Sequence, residues 1–513
     1  MNLNFFNTNN LNDSVHHLFD KVLNFPINAK RIESINIEEY FQIYKREDYY
    51  FISYIESIYF SGLVNDECFD TNKKSISIFD TDNEQTDKDK DKYKTLLIFS
   101  IKLKSKGDKS YTRTVLADIS RAINRFNNGT PTIIVFNYDN YISITGVERT
   151  EYKRKTGEKL GKVSMLKDIN IEKPHTGHLK ILDELKLKSD VRTFDALYKQ
   201  WREVFDVQVL NKKFYQEIYR WYEWAVKNVK FPNDINDDYD DEKYNSENII
   251  RLLTRIIFIW FLKEKNLVPD LLFKESELVK IIKDFNDKNS TNYYSAILQN
   301  LFFAALNQKI NERKFASEGD FKKQKQHYGV KTLFRYADLF LIETESVLNM
   351  FEKVPFVNGG LFDCLDNDEP VKVLENGKVK QKVFYFDGFS RNPNKKAIVP
   401  NILFFNDEDT NNTKLKVTSN GEKGLINILN SYKFTVAENT PIEEEIALDP
   451  ELLGRIFENL LASYNEESKT TARKATGSFY TPREIVNYMV DESLIAYLEK
   501  KLKDEIADRK SVV

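Results

Sequence analysis

Disulfide bonding is excluded first. The 513 residues hold two cysteines, Cys68 and Cys364, too few for a disulfide scaffold or a cysteine-rich zinc site and in keeping with a reducing cytoplasm. Long hydrophobic runs are missing as well. The longest, "IIFIWFL" from Ile256 to Leu262, falls far short of the ~20 residues that span a bilayer. The opening residues, "MNLNFFNTNNLND", show no basic stretch leading into an apolar one, so a secretory signal is not expected. Nor is there a large charge of either sign. With a formal net charge of -3, the chain as a whole is no trap for nucleic acid, and any DNA contact must come from locally basic surface. Internal repeats are absent, and none of the 12 prolines is adjacent to another.

What is present is enough apolar content, 41%, to pack several cores, and a length that fits about three domains. Two acidic stretches break the apolar pattern, "DTDNEQTDKDKDKYK" at 80–94 and "NDINDDYDDEKYNSE" at 233–247. Neither can bury a hydrophobic face, so both read as solvated loops or linkers. Between them lies an α/β alternation. "KTLLIFSIKLK" (94–104), "TIIVF" (132–136) and "YISITGV" (141–147) read as strands. "YTRTVLADISRAINRF" (111–126) reads as a helix, with Leu116, Ile119, Ile123 and Phe126 at helical spacing. The order strand–helix–strand predicts a small sheet with flanking helices.

From Phe194 to Val229 the text is helical and aromatic, and "NIIRLLTRIIFIWFLKEKNLVPDLLF" predicts a buried helix halted before Pro269. Further helices are expected to about Met350, a mixed stretch with strand-like "KVFYF" from 370 to 440, and a helix over "DPELLGRIFENLLASY" (449–464). Trp201, Trp221, Trp224 and Trp260 fall on apolar helix faces and read as core. The pair His175 and His178 in "HTGH" lacks a third ligand nearby and reads as a turn feature. Asn358 and the glycines of "NGG" (358–360) read as a tight turn with positive φ, and "GEKLGK" (157–162) is one residue short of a phosphate-binding loop.

The stretch "GSFYTPRE" (477–484) is the most specific. Thr481 is a good N-cap, Pro482 takes the first helical position, and Glu484 completes a capping box. Ile485, Val486, Met489, Val490, Leu494, Ile495 and Leu498 then form an amphipathic stripe. Capping does not account for Phe479 and Tyr480. Either Tyr480 packs on Ile485 as a hydrophobic staple, or the two aromatics wall a pocket beside free helix N–H groups. "ATGSFYTPREIVNYMVDESL" resembles motif X of the gamma-class DNA methyltransferases that modify the exocyclic amine of adenine. "RLLTRIIFIWFLKEKNLVP", "VPFVNGGLFD" and "LDPELLGRIFENLLA" resemble the helical region before the methyltransferase core in the large type IIG restriction–modification enzymes. The resemblance covers roughly 100–513 and is tightest at 448–494. It implies that Phe479, Tyr480, Thr481 and Pro482 contact S-adenosylmethionine, and that the family's chemistry flips an adenine out of double-stranded DNA. The family's Asn-Pro-Pro-aromatic and Asp-Pro-x-x-Gly-x-Gly motifs do not occur in these residues. Methylation therefore needs a C-terminal half or a separate methyltransferase or specificity subunit.

The same resemblance implies a nuclease of the PD-(D/E)xK class at the front. In that class acids hold a divalent metal, Mg2+ here, and a lysine helps activate water. Lys102 fits the lysine and Asp80 the preceding acid and metal ligand, but Ser100 stands where the second acid belongs. Arg113, Arg121 and Arg125 on the following helix, and Lys153, Arg154 and Lys155 in the basic run "RTEYKRKTGEKLGK", are the candidate DNA contacts. The expected architecture is α/β plus α. A nuclease-like mixed sheet domain occupies 1–190 and a helical connector with acidic linker 191–245. A mainly helical methyltransferase-associated domain follows at 246–475, and 476–513 begins the methyltransferase domain. The expected setting is cytoplasmic, with no membrane. The alternative is a non-catalytic DNA-binding or scaffold protein of phage defence with a degenerate nuclease fold.

Overall fold

The computed structural model describes residues 1–8, 10–28, 34–42, 49–69, 94–107, 110–127, 129–148, 161–233, 241–317, 331–357, 359–366, 371–375, 378–382, 384–407, 422–437, 439–440, 442–450, 454 and 483–511. Met1–Pro450 form one compact unit and Glu451–Val513 another. The expected boundaries at 190/191 and 245/246 fall inside the first.

The first unit is built on a mixed six-stranded sheet. Its strands are β1 (Ile55–Asn65), β2 (Thr95–Leu103), β3 (Thr132–Tyr138), β4 (Tyr141–Glu148), β5 (Lys162–Asn170) and, far along the chain, β8 (Glu443–Glu445), in the order β1-β2-β3-β4-β5-β8. The hairpin β6 (Val371–Glu375) and β7 (Lys378–Lys382) is separate. It ends at Lys382, the first residue of the strand expected over "KVFYF" (382–386), so the strand lies earlier in the chain than the sequence suggested. Strands β2 and β3 are parallel, as are β5 and β8; the other neighbours in the six-stranded sheet are antiparallel. The parallel β2–β3 step runs through a helix, as such a step requires.

Both faces of this sheet are covered, which is why β2 and β3 read as near-continuous apolar runs. Leu96 and Ile98 of β2, Ile133 and Val135 of β3 and Ile142 and Ile144 of β4 pack with Phe19, Phe25, Trp201 and Phe205. On the other face Phe99, Ile101, Ile134 and Phe136 meet Leu116, Ile119 and Ile123. Helix α1 (Leu11–His17) and helix α2 (Arg113–Phe126) thus lie on opposite faces. The Thr112 hydroxyl caps α2 by accepting from Val115 N at 3.4 Å.

Helices α3 (Thr176–Glu184), α4 (Phe194–Val204), α5 (Val207–Asn228) and α6 (Asp241–Glu264) follow. All four tryptophans are buried, as their apolar faces predict, and Trp221 Nε1 donates to the Leu403 carbonyl at 2.6 Å. The second acidic stretch departs from the expected linker. Its last seven residues are the first two turns of α6, where Asp241 and Glu242 face the positive helix end. There Asn245 bridges to Val229 O and Phe231 N, and Ser246 meets the Tyr222 hydroxyl at 2.7 Å. A completely buried π-helix, Tyr293–Ala305, forms the middle of this helical region. Gly359 is extended (φ -171°) and Gly360 opens a 3-10 turn, so neither glycine of "NGG" takes the left-handed conformation expected of it; Asn358 lies outside the described residues. Among the described residues no helix is long and apolar enough to cross a membrane.

In the second unit the expected helix runs over Arg483–Ser511, but its apolar residues do not gather on one side: Ile485 and Met489 fall nearly opposite Leu494 and Leu498, and all four are about half exposed.

Candidate functional site

Strand alternation places Ser100 and Lys102 on one face of β2, between Ser57 of β1 and Asn137 of β3 at Lys102. Ser100 is fully buried and accepts from the Ser61 hydroxyl at 2.9 Å. Lys102 reaches solvent, and its ammonium lies 2.9 Å from Glu56 Oε1. Asp80 lies outside the described residues. One carboxylate facing a lysine is short of the oxygen ligand set a divalent cation needs. Among the described residues no three His, Cys, Asp or Glu side chains gather as a metal site. The described residues do not fit Mg2+.

The three arginines of α2 diverge. Arg121 is 7% exposed, and its guanidinium is fully engaged inside the protein. It donates to Glu443 at 3.1 Å, Asp118 at 3.2 Å, the Gly161 carbonyl at 3.1 Å and the Ile442 carbonyl at 2.9 Å. Arg113 donates to Asn439 Oδ1 at 2.6 Å, in the same chain segment. Arg125 is partly exposed. A phosphate at Arg121 would have to displace a buried ion pair. The physical reason is β8: its pairing along β5 brings acids to a helix face that reads as free in the sequence. Lys153, Arg154 and Lys155 lie outside the described residues. Lys162, at the end of the same basic run, pairs with Glu444 at 2.8 Å.

Sequence reasoning missed a polar cluster at the start of α2. Asp168, with φ +57°, accepts from Ser110 at 2.7 Å and from Tyr138 at 2.5 Å, and it pairs with Lys167. The Ser143 hydroxyl meets Tyr138 at 2.6 Å and accepts from Asp168 N at 3.0 Å. Burial, and then the Asp168 charge, push the Tyr138 phenol well above its ordinary value. Glu445 is also buried, and burial raises its carboxyl against the opposing pull of Lys167 and Arg113. The network ties the end of β5 to β3, β4 and the segment that leads into α2. The left-handed backbone at Asp168 is its one unusual feature, and nothing in the local text announces it.

A second buried network lies in the helical region. Arg255 donates to Asp387 at 2.9 Å and to the carbonyls of Leu361 and Asp363. Asp366 accepts from four successive backbone N–H groups, Phe386, Asp387, Gly388 and Phe389, at 2.7–3.2 Å. Burial and then the Asp387 charge nevertheless raise its carboxyl above the ordinary value. Gln299 and Asn300 of the π-helix hold the neighbouring chain: Gln299 donates to Asp387 O, and Asn300 accepts from Arg335 N at 2.8 Å and donates to Arg335 O at 2.9 Å. "VPFVNGGLFD", singled out in the sequence, ends at Asp363 in this network.

The comparisons give one direction. A Methanocaldococcus jannaschii protein provisionally named a type II restriction enzyme and methyltransferase is 28% identical over 263 residues. The match takes in 51% of this chain and 16% of that protein, so the chain spans about a sixth of its relative's length. No protein-family model matches the chain, and no solved structure matches it.

The motif X residues Phe479, Tyr480, Thr481 and Pro482 lie outside the described residues, as does most of the expected helix 449–464. The helix that they precede is described from Arg483 onward.

Proposed function

We propose that this chain is part of a restriction–modification enzyme that acts on double-stranded DNA. Its sheet-bearing portion is nuclease-like, and its last helix opens an adenine-specific methyltransferase domain. The similarity over 263 residues to the M. jannaschii protein carries this reading, and "GSFYTPRE" supports the methyltransferase half. The order of β1, β2, α2 and β3, with Lys102 near the end of β2, supports the nuclease-like half. In this reading Phe479, Tyr480, Thr481 and Pro482 contact S-adenosylmethionine, which supplies the methyl group. The catalytic motifs for methylation come from chain outside these 513 residues or from a partner subunit. Arg125, Lys153, Arg154 and Lys155 are the proposed phosphate contacts, with Arg113 beside them; Arg121 anchors the helix that carries Arg113 and Arg125. Of the two activities, cleavage has the thinner support, because Ser100 is buried and Glu56 alone faces Lys102.

The test is binding of a labelled duplex followed by fluorescence anisotropy over a range of salt. A phosphate-reading surface gives an affinity that falls steeply and log-linearly with salt. No binding at low salt would sink the reading. Supercoiled plasmid incubated with Mg2+ or Mn2+, with the Lys102→Ala variant alongside, tests the nuclease half.

A further inference from the structure

Arg335 is a buried cation whose hydrogen bonds are unfinished. It is 3% exposed, and neither Nε nor Nη1 has an acceptor among the described residues. Each edge by which a guanidinium grips an oxyanion ends on one of these two nitrogens. The Asp366 charge acts on the guanidinium from nearby, but its oxygens are held by four backbone donors, and Asp387 is held by Arg255 and Leu365 N. A buried donor without an acceptor is costly, and a buried charge more so.

The surroundings hold this group in place. Asn300 grips both backbone groups of Arg335, and the Phe389 ring backs its guanidinium at 4.1 Å. The next residue, Tyr336, sits in the left-handed region at φ +63°, a strained conformation for a bulky side chain. Its hydroxyl donates to Ser390 O at 3.0 Å, and its ring packs against Phe389 and lies under the Lys396 ammonium at 4.7 Å. The segment "SRNPNKK" at 390–396 carries Arg391, Lys395 and Lys396 and no acid. Strain and a buried guanidinium with two open donors at one point mark a binding site more readily than a structural joint.

We infer that Arg335 is the floor of an anion socket that takes a phosphate group, with Lys396 at its rim. The group can be a phosphodiester of duplex DNA or a free phosphate. The first source rests on the function proposed above and the second does not.

Thermal unfolding of the full chain, titrated with inorganic phosphate at constant ionic strength, tests the socket. The midpoint rises with phosphate in the parent, does not move in Arg335→Lys, which keeps the charge and loses the fork, and moves less in Lys396→Ala. Duplex affinity, measured in parallel, falls on the order of tenfold in Arg335→Lys if DNA supplies the phosphate. A phosphate response confined to the parent, with no duplex binding by any variant, keeps the socket and removes the DNA reading. Duplex binding equal in all variants, with no phosphate response in the parent, overturns the socket and leaves the DNA reading standing. If Arg335→Lys does not fold, the parent's phosphate response and its reduction in Lys396→Ala decide.

Discussion

Arg121 and Glu443 meet at 3.1 Å across 322 residues of sequence. Their side chains are 7% and 13% exposed, so this pair is a joint between α2 and the late strand β8. Removing one partner of a buried pair strands the other charge. Arg121→Met, which strands Glu443, is expected to destabilise the protein by about 3 kcal/mol, and Glu443→Gln, which leaves Arg121 its Asp118 partner, by less, both read as a fall in the urea midpoint. The double variant Arg121→Met/Glu443→Leu is expected to recover much of this, since well-packed apolar replacements of buried pairs are often neutral. A double variant as unstable as the sum of the single ones would show that the two side chains do not act as a unit.

That joint also marks where the sequence ran out. Strands β2, β3 and β4 and helix α2 were legible because apolar residues recur at periods of 2 and 3.6, and Leu116, Ile119 and Ile123 are indeed fully buried. β8 was not: "EEE" has no strand propensity, and it becomes a strand because the edge of β5 offers unpaired backbone groups. Arg121 read as a surface residue for the same reason, since its acidic partner is distant in sequence. The π-helix was hidden because a fully apolar run fixes burial but no hydrogen-bond period. The acidic stretch that runs into α6 looked like a linker, yet Tyr244 and Ser246, in its helical part, are buried. At Lys102 the strand was legible, but not the Glu56 partner on the neighbouring strand.

Lys102 offers a clean test of catalysis because its pairing is superficial. Both side chains are about half exposed, and such pairs contribute under about 1 kcal/mol. Lys102→Ala should therefore leave the unfolding midpoint nearly unchanged, so that any loss of plasmid nicking reports on chemistry. If the parent nicks and the variant nicks at the same rate, Lys102 has no role in cleavage.

His175 and His178 make stability depend on acid. Burial first, then the charge of Lys433, lowers His175 from 6.5 to about 4. Burial, then Lys433 and His175, lowers His178 to about 3. The unfolded chain protonates both near pH 6.5, whereas the folded chain keeps them neutral down to those values. Their contribution is thus fully present above pH 6.5 and is lost as pH falls toward 4 and 3. The slope should approach about 1.4 kcal/mol per pH unit for each histidine. His178→Leu removes one of the two protons; the slope of urea-derived stability between pH 6 and 4 should then roughly halve. An unchanged slope would mean that His178 is not buried in its neutral form.

Gly177 inverts a familiar rule. It lies in the first turn of α3, where alanine ordinarily favours a helix over glycine by about 1 kcal/mol. Here α3 is docked hard against the chain near Tyr432: Thr176 donates its hydroxyl to Asn430 O, and His175 Nδ1 accepts from Gly177 N at 3.0 Å. A β-carbon at 177 would stand 2.5 Å from Lys433 N and 2.7 Å from the Tyr432 carbonyl carbon. Those are backbone atoms, which cannot swing aside as a side chain can. Gly177→Ala is therefore expected to lower stability by about 1–3 kcal/mol, the cost of overpacking. Gly359→Ala is the control: its backbone is extended at φ -171° and a β-carbon there meets nothing within 4 Å. That change should be neutral or slightly stabilising, through the smaller entropy of the unfolded chain. Midpoints of urea unfolding for the two variants decide the matter: a stabilised Gly177→Ala would show that α3 and the 430–433 segment are not in contact, and with it would go the link that ties the sheet to the late chain on this side.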